Sequence, residues 1–194
     1  ISPKYIVAVN EKVLEQSSEV YKKLKIVKFV SNRLARTSIS EDPFTYIMNT
    51  AELPPNHERF STDICEYVCE GWTVTHAALQ VIYYMGFNEV NIVGMDHRFA
   101  QHIEGRENQE SVIEGADVDH FDSHYFGFGK TWDLPDIGES ENSYTAAKKV
   151  FQDDGRVVFD CTINGACTVF PKRYIEKLYS PSTGGVSVVC RVRF

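Results

Sequence analysis

Residues 119–127 read DHFDSHYFG and concentrate side chains that could do acid–base chemistry. Two histidines, His120 and His124, lie in this stretch beside two aspartates and three aromatic residues. A histidine with an ordinary pKa near ~6.5 can accept a proton at neutral pH, so either one could act as a general base. Tyr125 adds a hydroxyl next to His124. The segment therefore indicates a catalytic loop rather than a packed structural one.

The same loop admits a metal-binding interpretation. Asp117 and Asp119 form a D-x-D element of the kind with which sugar-nucleotide enzymes hold a divalent cation. The spacing of His120 and His124 could place two imidazoles on one face of a helix. The aromatic residues and the glycine of the segment disfavour a helix at this point. The sequence consequently predicts that no metal is required.

The chain around this loop alternates between strand and helix patterns. A continuous apolar run at residues 5–9 predicts a strand buried on both faces. Residues 73–85 carry apolar side chains at the spacing of a helix and are followed by Gly86. Further strands are predicted at 25–30, 45–49, 89–96 and 156–162, and further helices at 11–24, at 141–151 with Ser140 as the N-cap, and at 172–179. This alternation predicts an α/β protein, a three-layer αβα, Rossmann-like domain with a mostly parallel sheet.

The domain organisation follows from the same alternation. Residues 1–180 are predicted to form a single domain that begins inside the fold and lacks its first strand. Residues 181–194 have no clear place in the pattern, and an edge strand, a non-native tail and a reading-frame artefact all remain open. The long polar segment at 97–138 shows no periodicity and predicts a functional loop.

Composition narrows the classes of function. The formal net charge of −7 disfavours nucleic acid as the main partner. No apolar run reaches the ~18–20 residues that span a bilayer. The five cysteines include no CxxC pair, which is typical of free thiols in a reducing compartment. We therefore expect a cytoplasmic protein without a membrane span.

The predicted topology gathers chemistry-bearing residues at one edge of the sheet. Ligands of open α/β sheets bind beyond the carboxyl ends of the strands. Predicted strands lead to Asn10, to Asp96–Arg98 and to Asn164, and the loop with DHFDSHYFG leaves from the same edge as Asp96. Asn10 could equally start the turn before the helix, and Asp96 could cap its own turn. The residues expected near one crevice are Asn10, Asp96, His97, Arg98, His120, His124 and Tyr125.

Several segments resemble a known family. The sequences are GWTVTHAALQVIYYMGFNEVNIVGMDHRF, HFDSHYFG, KTWDLPD and GRVVFDCTINGACTVFPK. They look like a bacterial family of unknown function that is related to the archaeal 6-hydroxymethylpterin pyrophosphokinases. More distantly, the layout resembles the bacterial sialyltransferases that use a CMP-sugar donor. The likeness covers about residues 4–179.

The sialyltransferase resemblance implies roles for individual residues. His124 occupies the place of the general base that deprotonates the acceptor hydroxyl. Asn10 matches an asparagine that holds the nucleotide, and Asp96 would line the cytidine pocket. Arg98 stands where that family has a tyrosine that stabilises the leaving phosphate, and a guanidinium could neutralise the phosphate in its stead. Both groups of relatives begin with a strand and a Gly-Asn-Gly-Pro-Ser-like turn, which this sequence lacks.

Three functions stay open on the sequence. The first is sugar transfer from a nucleotide donor such as a CMP-sugar to an acceptor, with no further cofactor. The second is a pyrophosphokinase that uses ATP and Mg²⁺, with Asp96, Asp117 and Asp119 as metal ligands. The third is a non-catalytic module, because a fold does not fix a function. Homo-oligomerisation is compatible with all three.

Overall fold

The computed structural model describes residues 3–34, 43–53, 58–97, 110–112, 131–133, 136–174 and 187–191. The chain divides into two compact units, Ile1–Met85 (unit 1) and Gly86–Phe194 (unit 2), and each unit is described by itself. The single domain expected over residues 1–180 stays a prediction. No helix in the described ranges is long and apolar enough to cross a membrane.

Unit 1 is built on short parallel strands. β1 (Tyr5–Ala8), β2 (Val27–Ser31) and β3 (Thr45–Met48) form one sheet in the order β1-β2-β3. After a single intervening residue the chain continues as β4 (Thr50–Ala51), which pairs in parallel with β5 (Val68–Cys69). A 3₁₀ turn at Asn32–Leu34 follows β2. The strands within each of these two sheets therefore run parallel to one another.

Two capped helices cover the strands of unit 1. α1 (Glu11–Lys23) presents the fully buried Leu14 to Ala8 and Val30. α2 (Val74–Tyr84) begins at Thr73, whose hydroxyl accepts the Thr75 N–H at 3.3 Å. Almost all of α2 is buried, and its residues pack against strands β3 and β5 and the end of β1. Burial of each large apolar side chain contributes about 1.5–3 kcal/mol, which explains why so short a helix is stable here.

Unit 2 has a parallel sheet in the order β10-β6-β9. The central strand is β6 (Glu89–Val93), and its neighbours are β9 (Val157–Asp160) and β10 (Ser187–Arg191). α3 (Ile137–Asp153) buries Tyr144, Ala147 and Phe151 and packs against β9. A separate antiparallel pair joins β7 (Glu110–Val112) to β8 (Thr131–Asp133).

The predicted α/β class is confirmed, since helices accompany mostly parallel strands in open sheets. The Rossmann-like, three-layer arrangement stays a prediction. Five predicted strands and two predicted helices are confirmed to within a few residues. They are β1, β2, β3, β6, β9, α1 and α2. Within the C-terminal stretch, Ser187–Arg191 form β10 in parallel register beside β6, at an edge of the described sheet.

Some sequence predictions were wrong. Ser140 is not the N-cap of α3, because the helix starts a full turn earlier at Asp136, whose carboxylate accepts the Glu139 N–H at 2.9 Å. An aspartate there also interacts favourably with the helix dipole. Lys172–Tyr174 are not helical, since Lys172 forms a β-bridge with Asp160. The strand pair β7–β8 lies within a segment that was expected to lack regular structure.

Candidate functional site

The site in unit 2 forms where the neighbouring strands β6 and β9 end. Gly94 to His97 follow β6, and Cys161 to Gly165 follow β9. The strands are parallel, with Ile92 opposite Asp160, so both loops leave from the carboxyl edge of the same sheet. This edge is where ligands of open α/β sheets bind. Asp96 and Asn164 therefore both lie beyond the carboxyl ends of strands, as the sequence predicted.

Hydrogen bonds join the two loops, residues 94–97 and 161–166, into one rigid surface that we call the platform. The Cys161 N–H donates to the Ile92 carbonyl at 2.7 Å and prolongs the ladder beyond β9. The Met95 N–H donates to Thr162 Oγ1 at 3.0 Å. The Ala166 N–H donates to the Asp96 carbonyl at 2.8 Å. The backbone on either side of Asp96 is therefore held by the loop that follows β9.

An ion pair between a buried aspartate and a half-exposed lysine supports this platform. The side chain of Asp160 is fully buried and pairs with the ammonium of Lys172. Its other oxygen accepts the Thr162 N–H at 2.8 Å, and Lys172 also donates to the Gly165 carbonyl at 3.0 Å. Because each carboxylate oxygen has a donor, the buried charge is compensated. The pair fixes the start and the end of the loop that follows β9.

Backbone conformation at the edge depends on two glycines. Gly94 has a φ of +81°, in the left-handed region that favours glycine. A Cβ on Gly165 would lie 3.0 Å from the Met95 carbonyl oxygen and equally close to Thr162. The loop after β9 therefore lies so close to the loop after β6 that any side chain at position 165 would crowd the Met95 carbonyl. Asn164, predicted at this edge, is exposed and also has a positive φ of 58°.

Asp96 and His97 occupy different environments. The Asp96 residue is exposed at the end of the platform. His97 has a φ of 53°, and its imidazole Nε2 lies 3.2 Å from Glu141 Oε1 on α3. The same ring packs 5.8 Å from the ring of Tyr144. The backbone thus turns at His97 so that its ring is anchored on α3, whereas Asp96 stays accessible to a ligand.

Asn10 belongs to unit 1 and has a structural task there. Its side-chain oxygen accepts the Val13 N–H at 3.1 Å, so that it caps α1. This is the local role that the sequence left open for it. The residue is exposed at the carboxyl end of β1. A nucleotide contact by Asn10 stays a prediction.

Cysteines near the platform are not activated nucleophiles. Burial raises the pKa of the Cys161 thiol, which directly follows β9, and the same cause raises the pKa of Cys167. A thiol with a raised pKa is protonated at neutral pH and reacts slowly. Reactive groups at this edge are therefore expected to be oxygen or nitrogen atoms and not the Cys161 or Cys167 thiol.

A second polar network lies near the carboxyl ends of β2, β3 and β5 in unit 1, and sequence reasoning missed it. Ser31 and Thr50 share a hydrogen bond of 2.6 Å, and the Asn32 amide donates to Asn49 Oδ1 at 3.1 Å. Glu70, directly after β5, forms an ion pair with Arg33, which lies in the 3₁₀ turn after β2. The sequence did carry a signal, namely a polar residue after each strand. The two-residue strands β4 and β5 were too short to be recognised, so their ends could not be placed.

Several predicted site residues lie outside the described residues. They are Arg98, Asp117, Asp119, His120, His124 and Tyr125. Their proposed roles stay predictions. Within the described ranges, no group of three or more His, Cys, Asp and Glu side chains is arranged to hold a metal ion.

No family model, no curated protein and no solved structure matches the chain. The resemblance to the pterin pyrophosphokinase relatives and to the sialyltransferases therefore stays a prediction.

Proposed function

We propose that the protein transfers a sugar from a nucleotide donor to an acceptor hydroxyl. The observation that carries this proposal is the platform in unit 2, where Thr162 and Ala166 hold the backbone on both sides of the exposed Asp96. A carboxylate whose backbone is held at a carboxyl edge can accept hydrogen bonds from the hydroxyl or amino groups of a nucleoside. Rigid support matters because a loosely held group loses binding energy when it is ordered.

In the proposed reaction, four of the predicted residues have catalytic tasks. His124 takes the proton of the acceptor hydroxyl while its oxygen attacks the anomeric carbon of the donor. The bond between that carbon and the phosphate oxygen breaks, and the electron pair leaves with the phosphate. Arg98 and Tyr125 stabilise the charge of this leaving group by hydrogen bonds. His120 is the second acid–base group of the same loop, and no metal takes part in the scheme.

Thermal unfolding with CMP, UDP and ATP, each with and without Mg²⁺, tests the proposal. A nucleotide at ~100 times its Kd stabilises a protein by about 2.7 kcal/mol, which is a melting shift of roughly 5–10 °C at this size. We expect a shift with CMP or UDP that does not require Mg²⁺. A shift confined to ATP with Mg²⁺ would instead support the pyrophosphokinase function, and no shift at all would contradict both.

Substitutions test whether nucleotide binding depends on Asp96 and whether turnover depends on His124. Asp96→Ala should remove most of the nucleotide-induced shift, because the ligand loses a fixed acceptor. The matched control is Asp153→Ala, which removes an exposed carboxylate at the far end of α3. His124→Ala should abolish turnover while nucleotide binding persists. Unchanged turnover in that variant would exclude His124 as the base.

A further inference from the structure

His97 holds a backbone conformation that needs support from other residues. Its φ of 53° lies in the left-handed region, which costs free energy for a residue with a Cβ. Such a conformation persists where the surrounding structure imposes it. The His97 side chain is only 8% exposed, although the preceding residue, Asp96, is exposed. The turn therefore buries one side chain and leaves the other at the surface of the platform.

Two residues of α3 hold the imidazole of His97. Glu141 Oε1 lies 3.2 Å from His97 Nε2, and the centroid of the Tyr144 ring lies 5.8 Å from that of the imidazole. Because Glu141 and Tyr144 are three positions apart on the helix, their side chains are neighbours on one face. An ionised carboxylate can only accept, so the imidazole donates its Nε2–H to Glu141. We call this pair of contacts with α3 the anchor of His97.

Tyr144 connects the anchor to the chain that follows the platform. It is 1% exposed, and its ring centroid lies 5.7 Å from that of the buried Phe170. A side chain packed in this way cannot shift without moving its neighbours. The anchor of His97 is therefore a fixed part of unit 2 and not a loose surface contact.

The anchor adds a further fixed point beside Asp96. Thr162 holds the Met95 N–H, and Ala166 holds the Asp96 carbonyl. Both bonds come from the loop after β9, whereas the His97 ring is held by α3. The peptide that joins Asp96 to His97 is thus constrained by two different elements. Its orientation helps to set the direction in which Asp96 presents its carboxylate.

We propose that His97 is a positioning residue and not a nucleotide ligand, and that its contact with Glu141 fixes Asp96 for binding. This inference rests on the nucleotide site proposed at Asp96. It goes further in assigning part of the nucleotide affinity to Glu141, which lies 44 residues from His97 in the sequence and acts through it. A group that is ordered before binding loses less free energy when the ligand arrives, so the anchor strengthens binding without a contact of its own.

Native-state hydrogen exchange tests the positioning without any nucleotide. The Ala166 N–H, which donates to the Asp96 carbonyl at 2.8 Å, reports on the position of that carbonyl. Glu141→Ala removes the acceptor of His97, and we expect the Ala166 N–H to exchange about tenfold faster in this variant. An unchanged Ala166 rate would overturn the proposal, whether or not a nucleotide binds.

A second amide separates positioning from a general loss of stability. The Cys161 N–H donates to the Ile92 carbonyl at 2.7 Å, directly beyond the paired strands. We expect this amide to exchange at its wild-type rate in Glu141→Ala. Equal acceleration of the Cys161 and Ala166 amides would show that the substitution loosens the whole unit, which also overturns the proposal.

Isothermal titration with CMP and with UDP measures the consequence for binding. We expect about tenfold weaker binding to Glu141→Ala. Glu141→Gln should restore most of the affinity, because its amide oxygen can still accept from the imidazole. The matched control, Asp153→Ala, removes an exposed carboxylate at the far end of the same helix and should leave the affinity unchanged. Equal affinities of Glu141→Ala and the wild type would overturn the proposal.

His97→Gly distinguishes a positioning residue from a ligand. Glycine accepts the positive φ without strain, so this variant loses the ring and its anchor but keeps the backbone conformation accessible. We expect it to lose as much affinity as Glu141→Ala, and the double variant to lose no more than either, because both changes remove one interaction. A much larger loss in His97→Gly would show that the imidazole binds the nucleotide itself and would overturn the proposal.

The two kinds of measurement also separate this inference from the proposed function. A wild-type protein that binds neither CMP nor UDP, together with a faster Ala166 amide in Glu141→Ala, would contradict the nucleotide function and support the positioning of Asp96 by His97. Nucleotide binding to the wild type, together with an unchanged Ala166 amide in Glu141→Ala, would support the proposed function and overturn the positioning.

Discussion

The Met95 amide and the Thr162 hydroxyl, 67 residues apart in sequence, meet at 3.0 Å. This bond joins the loop that follows β6 to the loop that follows β9. Met95 is fully buried, so its N–H has no access to water if the hydroxyl is lost. The contact between the two residues is therefore a fixed point of the platform that holds Asp96.

Thr162→Val should destabilise unit 2 by about 1–3 kcal/mol, because it retains the shape of the side chain but leaves the buried Met95 N–H without an acceptor. Urea unfolding measures the change. The matched control is Thr145→Val on α3, where the hydroxyl is exposed and merely donates to the Glu141 carbonyl of its own helix at 2.8 Å. That change should cost well under ~1 kcal/mol. Equal losses in the two variants would show that the Met95 contact has no special role.

Gly165→Ala should also be destabilising, by about 1–3 kcal/mol. The new methyl group would lie 3.0 Å from the Met95 carbonyl and from Thr162, so that the two loops must separate. Nucleotide binding at Asp96 should weaken in parallel, which a thermal titration with CMP or UDP would reveal.

Gly138→Ala is the control for this substitution. The nearest atom to its Cβ lies 3.7 Å away, and the residue is in the first turn of α3. Alanine there should stabilise the protein by about 0.4–1 kcal/mol, because it restricts the unfolded chain. A destabilised Gly138→Ala or a stabilised Gly165→Ala would contradict the described spacing of the loops.

Lys172→Met should destabilise the protein by about 1–3 kcal/mol, because the lysine side chain is 47% exposed and solvent replaces part of its charge. The substitution leaves the fully buried Asp160 carboxylate without its countercharge. By contrast, Lys149→Met breaks an ion pair with Asp153 in which the side chains are 74% and 62% exposed, and it should cost at most about 0.5 kcal/mol. Chemical denaturation of both variants measures the difference. Similar losses would mean that solvent compensates Asp160 after the lysine is removed.

The elements that the sequence predicted well are those with a strong local pattern. α2 carries an uninterrupted apolar periodicity, and it is almost entirely buried in the structure. The apolar run at the start of the chain predicted β1, and the strand pattern before Asp96 predicted β6. Asp96 was consequently expected at a carboxyl edge, and it lies at one.

What the sequence missed depends on contacts between distant residues. The hydrogen bond between Met95 and Thr162 forms only because β6 pairs with β9. No local sequence pattern specifies that pairing. Glu70 follows β5, whose two residues cannot show the alternation of a strand. α3 was predicted to start late, because Ser140 is a good cap by residue type, whereas the Asp136 carboxylate takes that role a turn earlier.

His76 should make the stability of unit 1 depend on pH. The imidazole is fully buried on α2, its Nε2 lies 2.7 Å from the Arg59 carbonyl, and burial lowers its pKa from 6.5 to about 4. The unfolded chain therefore binds a proton near pH 6.5, whereas the folded protein does not until about pH 4. Because the unfolded state holds more protons in this interval, the free energy of unfolding falls as the pH decreases, by about 3 kcal/mol in total. Below the lower value this contribution changes no further.

Urea titrations across this interval, on the wild type and on His76→Gln, measure the effect. The glutamine can still donate to the Arg59 carbonyl, but it does not titrate, so the difference in free energy of unfolding between the two proteins should change with pH. The wild type should lose stability relative to the variant between pH 6.5 and pH 4, and the difference should be constant above that range. A difference that does not vary with pH would contradict the prediction. It would show that His76 is protonated as easily in the folded protein as in the unfolded chain, despite its burial.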